Sequence, residues 1–499
     1  MTRAACNALH LSRLVGKVLA IASPPTVASS IVSAVRAVSP EFLHALKRDI
    51  PTLNISVDAD DLVHYARDWT RFSLPRAGAV AFPRSSNEVA RVLDVARAHG
   101  VGVVPSAGRT GLAGGACATR GELVLSVEKI DFIDPVDVAS ATVRVGAGAI
   151  LATVQDRAKD ASLYFPVDLG SRGSCRIGGN IATNAGGLRV IRYGTMRHWV
   201  VGLSVALSSG EVLALGGGLE KNNTGYDLRQ LFIGSEGTLG VITEATLKLT
   251  RPPAESETAL FALSSFEHVL GLLECARRTR LSLLSFEFFS ESCRREVEAH
   301  GRAKSPFSTS HPYYVLIEAE RLEPSLEHFI ASDAVLAIVD DGVLASSSRQ
   351  ARDLWALRER ITESLAERGL VHKADVAVAV RDLAPFVAEV EVMLARDFPR
   401  LEVFLFGHVG DGNVHVNLPR PAALDEETFR DDVKRADVAL SAVLERFRGS
   451  VSAEHGIGLL KKEILRYTRT PTEIALFRAM KRVLDDAAIL NPGKIFDEE

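Results

Sequence analysis

Residues 170–187 read GSRGSCRIGGNIATNAGG, and six of these eighteen positions are glycine. Neither the two-residue alternation of a strand nor the 3.6-residue period of a helix survives across them. An irregular run of small residues this long inside a compact domain is usually functional. Without Cβ atoms the main chain can lie against a flat or extended ligand where side chains would clash. Two more glycine blocks flank this one. Val101–Val104 reads as a strand feeding Pro105-Ser106-Ala107-Gly108-Arg109-Thr110-Gly111, and FIGSEGTLGVI at 232–242 again ends a glycine loop in a β-like run. Loops of small residues after strands expose backbone N–H groups that suit phosphate. A single block would be an ordinary surface turn, whereas three at strand ends point to a ligand bed. No Gly-x-Gly-x-x-Gly follows the first strand and no Walker lysine appears, which disfavours the two commonest nucleotide folds.

A different signal sits at 407–417, GHVGDGNVHVN. Asp411-Gly412 between Val403–Phe406 and Val414–Leu418 predicts a hairpin with a two-residue turn. That register sets His408 directly opposite His415, with Cβ atoms roughly 5 Å apart on one face. Asn417 shares the face because strand side chains alternate. Two imidazoles so placed can grip one metal ion. The plainer reading is a hairpin that happens to carry two histidines.

The chain has 499 residues, too many for one ordinary core, so two or three domains are expected. A net charge of -4 gives no reason to expect a nucleic-acid partner. Cys6, Cys117, Cys175, Cys275 and Cys293 are scattered without a Cys-x-x-Cys, which argues for a reducing compartment and against a disulfide framework or thiolate metal site. No apolar run is long enough to span a bilayer. The start of the chain holds no acidic residue before Glu41, while Arg3, His10, Arg13 and Lys17 share one side of a helical wheel. Such a segment has the character of a mitochondrial transit peptide, and a plain bacterial N-terminus is the alternative; a cytoplasmic location is expected, with the mitochondrial matrix as the other possibility. From Pro40 to about Arg71 the pattern is helical and acidic. Ser85 and Glu88 are spaced for a capping box before the Val89–Ala96 stripe, and Gly100 is placed to end that helix.

The three glycine blocks together resemble the FAD-binding half of the vanillyl-alcohol oxidase/p-cresol methylhydroxylase (PCMH) class. Four further stretches narrow the resemblance to the FAD-linked D-2-hydroxyacid dehydrogenases: LWALRERIT at 354–362, the histidine hairpin, SVSAEHGIG at 450–458, and ILNPGK at 489–494. The match runs in order from about Val57 to Phe496. It implies an α+β chain with a two-subdomain PCMH-type FAD-binding domain at 41–253, ending near Pro252-Pro253, after an N-terminal extension at 1–40. A cap domain with an antiparallel sheet flanked by helices would occupy 254–475, and a C-terminal helix and tail at 476–499 would return to the FAD domain. The resemblance implies FAD contacts from Pro105, Gly108, Arg109, Thr110, Gly111, Asp168, Gly178, Gly179, Asn180, Thr183, Gly186, Gly187, Tyr193, Glu236, Gly240, Ile242 and Asn491. Relatives that bind flavin covalently often carry a histidine in the first loop. Arg109-Thr110 stands there instead, so dissociable FAD is expected.

The expected chemistry is oxidation of a D-2-hydroxy acid to the 2-oxo acid by hydride transfer to flavin. His408, His415 and Glu454 would form a two-histidine, one-carboxylate site with open positions for substrate, zinc being favoured over manganese, cobalt or iron. The resemblance makes His455 the general base, and its ordinary pKa suits work near neutrality. Arg358 and Thr362, four apart on an evident helix, would converge with Lys373 and Asn417 on substrate. A second carboxylate, as in 2-hydroxyglutarate or malate, would give Arg358 and Lys373 a partner, and lactate would not; the resemblance puts D-2-hydroxyglutarate first, with D-malate, D-lactate or glycolate as the alternatives. Two departures from the family pattern stand out. Ala374 and Ala379 replace a larger residue and a proline, and Ala107 replaces a glycine. The family suggests an electron-transfer flavoprotein or a quinone as electron acceptor, and a homodimer is compatible with it. Competing readings are a metal-dependent hydrolase, which would leave the glycine blocks without a purpose, and a non-catalytic flavin-binding protein.

Overall fold

The structure is a computed structural model, and it describes residues 35–70 and 74–497. Most of the N-terminal extension, including its basic face, lies outside the described residues.

The first sheet contains β1 (Asn54–Ser56), β2 (Ala79–Phe82), β3 (Val103–Ser106) and β4 (Leu123–Ser126) in the order β1-β2-β4-β3. β2, β4 and β3 run parallel, with β1 antiparallel at the edge. β2 and β4 are buried at every residue, as parallel strands covered on both faces must be. The helix Ser86–His99 crosses from β2 to β3. Ser85 accepts the Glu88 N–H at 3.2 Å, and Gly100 ends the helix in the left-handed region. Only half of the expected capping box forms, because the Glu88 carboxylate accepts from Thr52 and from the Arg84 N–H. The expected helical run from Pro40 to Arg71 is also broken. A helix over Pro40–Asp49 stops before Pro51, β1 follows, and a second helix covers Ala59–Tyr65.

The second sheet is antiparallel, with β5 (Thr142–Gly146), β6 (Val200–Ala206), β7 (Val212–Leu215) and β8 (Val241–Lys248) in the order β5-β8-β6-β7. The glycine-rich stretch at 170–187 lies between β5 and β6. It is less irregular than its composition suggests, since Ile177–Ala182 forms a short helix. The chain's end returns to the first sheet. Val103 donates to the Ile489 carbonyl at 2.8 Å and accepts from the Asn491 N–H at 2.7 Å.

The third sheet begins at Ser256, just beyond the Pro252-Pro253 break. It holds β9 (Ser256–Leu263), β10 (Leu283–Ser290), β11 (Tyr313–Glu320), β12 (Asp341–Leu344), β13 (Val371–Ala377), β14 (Phe404–His408) and β15 (Asn413–Pro419). The order is β12-β9-β11-β10-β14-β15-β13, antiparallel throughout. Alternation divides its residues between two cores. Phe286, Phe288, Val376, Val414 and Val416 pack with apolar residues of the helices Phe266–Arg278, Leu383–Asp397 and Glu426–Arg446. Phe289, Phe404 and Phe406 cluster instead with Leu354, Leu357 and Ile361. Ala374 packs in the first of these cores and also borders the cavity beside Lys373. The fold is α+β: two four-stranded sheets and one seven-stranded antiparallel sheet flanked by helices.

Candidate active site

The hairpin is built differently from the two-residue turn its Asp-Gly suggests. Val409–Asp411 form a 3-10 turn, and Gly412 follows at φ +82°. A side chain at Gly412 would collide with the Val378 carbonyl oxygen, so only glycine fits. His408 therefore pairs with Asn413, and His415 with Phe406. The expected pairing of His408 with His415 is corrected, because two residues counted as strand belong to the loop. A slip of two preserves the face that a slip of one would invert. The two imidazoles remain neighbours on the diagonal, with ring centroids 5.4 Å apart.

Register then assembles a whole row of polar groups on that face. Lys373 pairs with Asn417, Asp375 with His415, and Glu287 with His408. The 450–458 loop reaches the same place because the buried Asp375 carboxylate accepts the N–H groups of Glu454 at 2.8 Å and His455 at 3.0 Å. Glu236, from the third glycine block, accepts those of Ile457 at 2.7 Å and Gly458 at 2.8 Å.

His408, His415 and Glu454 present donor atoms that all lie within 4.8 Å of one another, and His408 Nε2 is 3.6 Å from a Glu454 oxygen. Tetrahedral ligands about 2.1 Å from an ion are about 3.4 Å apart, so the donor set fits a small divalent cation. The supporting groups fit as well, since ligating histidines usually offer their other nitrogen to a carboxylate. His408 Nδ1 is bonded to Glu287 at 2.7 Å, and His415 Nδ1 lies 3.5 Å from Asp375. Asp375, His415 and His455 form a second close triple. Its carboxylate is already committed to two backbone N–H groups and to Asn413 Nδ2 at 2.8 Å, so this triple fits a cation less well than His408, His415 and Glu454 do.

Burial dominates the protonation of the site. It pushes His455 down to about 4 against the pull of Asp375, with Lys461 and Lys373 adding to the drop, so its imidazole is neutral at neutral pH. Burial also holds His415 well below the ordinary histidine range. Burial opposes charge on His408 too, yet the charge and hydrogen bond of Glu287, aided by Glu454, raise it to about 9. Glu454 rises to about 7 through burial, against the attraction of His408, with Asp375, Asp411 and Glu287 adding repulsion. Two buried carboxylates, Glu287 and Asp375, and the half-buried Glu454 and Asp411 around His408 and His415 make a setting that a divalent cation would balance.

One cavity of about 940 Å³ joins these groups to the glycine blocks. On one side it is lined by Pro105, Gly108, Arg109, Thr110, Gly111, Asp168, Gly178, Gly179, Asn180, Thr183, Gly186, Gly187, Glu236, Gly240 and Ile242. On the other stand Arg358, Thr362, Lys373, Asn417, His408, His415, Glu454 and His455. This volume is near the upper end for small-molecule sites, about 300–1,000 Å³, and suits an extended dinucleotide with a small acid. At Gly111 and Gly179 a Cβ would meet no protein atom closer than 3.4 Å, so the bare backbone keeps open room for a ligand rather than for packing. Gly187 answers to the fold instead: its φ is +157°, and a Cβ would strike the Asp168 carbonyl oxygen.

Two expected cofactor residues do not line the cavity. Tyr193 packs edge-on against Tyr164 and Trp199. Asn491, at φ +43°, donates its amide to the carbonyls of Gly115 and Glu236, tying the C-terminal segment to the glycine loops. The single helix expected to carry Arg358 and Thr362 is also corrected. It ends at Glu359, Arg360 forms a break, and Thr362 belongs to the helix Ile361–Glu367. Arg358 is nearly buried, 2.8 Å from Glu287, with its guanidinium 4.6 Å from the Phe406 ring centroid. Glu287, Asp375, Asn413 and Lys461 had no expected role. The available signal was a lone acid inside an apolar strand, LSFEFF for Glu287 and ADVAV for Asp375, since buried acids are nearly always paired.

Residues 77–216 match the family described as FAD binding domain, and residues 252–495 match FAD linked oxidases, C-terminal domain. The fold is shared with p-cresol methylhydroxylase with substrate bound, at TM-score 0.74 and 16% identity over 92% of this chain and 98% of that one. It is shared also with 4-ethylphenol oxidase from Gulosibacter chungangensis, at TM-score 0.72 and 17% identity over 92% and 98% of the two chains. Fold and family matches define an FAD-dependent oxidoreductase with a PCMH-type FAD-binding fold. D-2-hydroxyglutarate dehydrogenase of Xanthomonas citri pv. viticola is 47% identical over 91% of this chain and 96% of its own. The enzyme of that name from Stutzerimonas stutzeri is 40% identical over 92% and 99%, and the mitochondrial one from Bos taurus 37% over 92% and 84%. The chain belongs to the D-2-hydroxyglutarate dehydrogenase family of FAD-linked oxidoreductases.

Proposed function

We propose that the protein oxidises D-2-hydroxyglutarate to 2-oxoglutarate, with dissociable FAD and a divalent cation, zinc in preference, held by His408, His415 and Glu454. The observation that carries this reading is the convergence of those donors and a neutral His455 on the cavity lined by the glycine blocks. When bound, FAD supplies the hydride acceptor and the cation supplies Lewis acidity that lowers the pKa of a coordinated hydroxyl. His455 takes the proton of the 2-hydroxyl as the C2 hydride leaves, so one proton and one hydride, two electrons and two protons in all, depart and a C=O bond forms. Asn417 borders the small acid from the same sheet face. Arg358, Thr362 and Lys373 receive the distal carboxylate. Because the charge of Arg358 is shared with Glu287, Lys373 carries much of the attraction for that second carboxylate.

Dissociable FAD is supported by Arg109 and Thr110 occupying the first loop where a histidine linkage would need to stand. An electron-transfer flavoprotein or a quinone is proposed as electron acceptor on the family resemblance alone. A cytoplasmic location is favoured by the higher identity of the bacterial relatives, and no helix among the described residues is long and apolar enough to cross a membrane.

The test is anaerobic bleaching of the purified flavoprotein by paired D- and L-2-hydroxy acids. D-2-hydroxyglutarate should bleach fastest, and equal bleaching by its L enantiomer would count against the reading. Lys373→Met should reduce kcat/KM for D-2-hydroxyglutarate by about 10–100-fold, the worth of one charged hydrogen bond. D-lactate, which lacks the distal carboxylate, should change by no more than a few-fold. Equal losses for both acids would remove Lys373 from that role.

A further inference from the structure

We propose that Asp375 is the positioning residue that sets the catalytic base and the metal-ligating histidine in one geometry, an inference that rests on the roles given above to His455 and His415. Asp375 is fully buried on β13, directly opposite His415 in the sheet. One carboxylate oxygen accepts the backbone N–H groups of both Glu454 and His455, fixing the dipeptide that supplies the third metal ligand and the base. The other accepts Asn413 Nδ2 at 2.8 Å. Each oxygen also faces an imidazole: His415 Nδ1 at 3.5 Å and His455 Nδ1 at 3.8 Å.

At those separations the contacts are electrostatic rather than hydrogen bonds. A buried carboxylate facing both Nδ1 atoms nonetheless favours the proton there in each ring. Nε2 is then left as the lone-pair donor, to an ion in one case and to the substrate proton in the other. The two rings lie 6.0 Å apart and 21° from parallel, so a single group orients both. The backbone of Asp375 is held in turn, its carbonyl accepting from the Ala453 N–H at 3.3 Å and from Lys461 Nζ at 3.4 Å. Lys461 reaches the Val451 carbonyl as well, at 3.0 Å, which closes the strand and the 450–458 loop around the carboxylate.

Asp375→Asn keeps the shape but turns an acceptor into a donor, so an N–H must face either the two backbone N–H groups or the amide of Asn413. Two readouts on the FAD-loaded protein test the role. The first is the rate of anaerobic flavin reduction at saturating D-2-hydroxyglutarate, expected to fall at least about 100-fold, within the range of general-base effects, with the substrate dissociation constant unchanged within a few-fold. The second is Zn²⁺ affinity by competition with a chromophoric chelator, expected to weaken about 10–100-fold. Either value at the wild-type level overturns the proposal. If Asp375→Asn does not fold with flavin, Asn413→Ala keeps the carboxylate but removes a bond that orients it, and should show both losses in smaller measure; wild-type values in that variant overturn the proposal equally. Wild-type protein that no D-2-hydroxy acid bleaches would sink the functional reading instead, and the Zn²⁺ comparison would still decide whether Asp375 orients His415.

Discussion

His455→Asn is expected to leave the protein yellow and slow its bleaching by D-2-hydroxyglutarate by about 10²–10⁴-fold, the usual contribution of a positioned general base. The loop holding His455 is fastened through its backbone, by Asp375 on one side and by Glu236 at Ile457 and Gly458 on the other. Replacing the side chain therefore leaves the scaffold in place, and the loss falls on the chemical step. The flavin bed is lined by other residues, so FAD content, read from the visible spectrum, should match wild type. Stopped-flow reduction at several substrate concentrations separates binding from chemistry: the limiting rate should fall while the apparent dissociation constant stays within a few-fold. A wild-type limiting rate would mean that another group takes the proton.

Removal of the proposed divalent ion is expected to be the second large effect. Prolonged dialysis against a chelator should cut the limiting rate of flavin reduction by roughly 10²-fold or more, because the hydroxyl then loses the Lewis acid that lowers its pKa. Zn²⁺ should restore it, and comparison with Mn²⁺ and Co²⁺ would rank the ions. The protein should remain yellow through the cycle, since the glycine blocks do not use the histidines. His415→Ala should match the chelated protein and should not recover on adding Zn²⁺. Undiminished bleaching by D-2-hydroxyglutarate after complete metal removal would defeat the metal role and leave His455 and the cationic side chains to carry the reaction.

Glycine blocks can be recognised from one sequence because their cause is local: small residues where backbone must approach a ligand. The histidine hairpin could be read as a shared face but not as a register. Asp411-Gly412 announces a turn, yet nothing local says that Val409 and Gly410 leave the strand. Arg358 and Thr362 looked like neighbours on one helix because no glycine or proline marks the break at Arg360. Glu287 and Asp375 escaped notice for a different reason. Their partners His408 and Glu454 lie 121 and 79 residues away, and only the folded sheet brings them together. Tyr193 and Asn491 were expected at the flavin; the fold shows Tyr193 in an aromatic cluster and Asn491 tethered to Gly115 and Glu236 at the cavity wall.

The turn between β14 and β15 behaves as a reading frame for the site. Lengthening or shortening it by two residues moves His415 along the strand but keeps it facing the cavity. A change of one residue would rotate the whole strand, sending His415 and Asn417 into the helix-backed core and turning Val414 and Val416 toward substrate. Changes that shift this strand by one register position should therefore abolish the site, whereas shifts of two should keep its face.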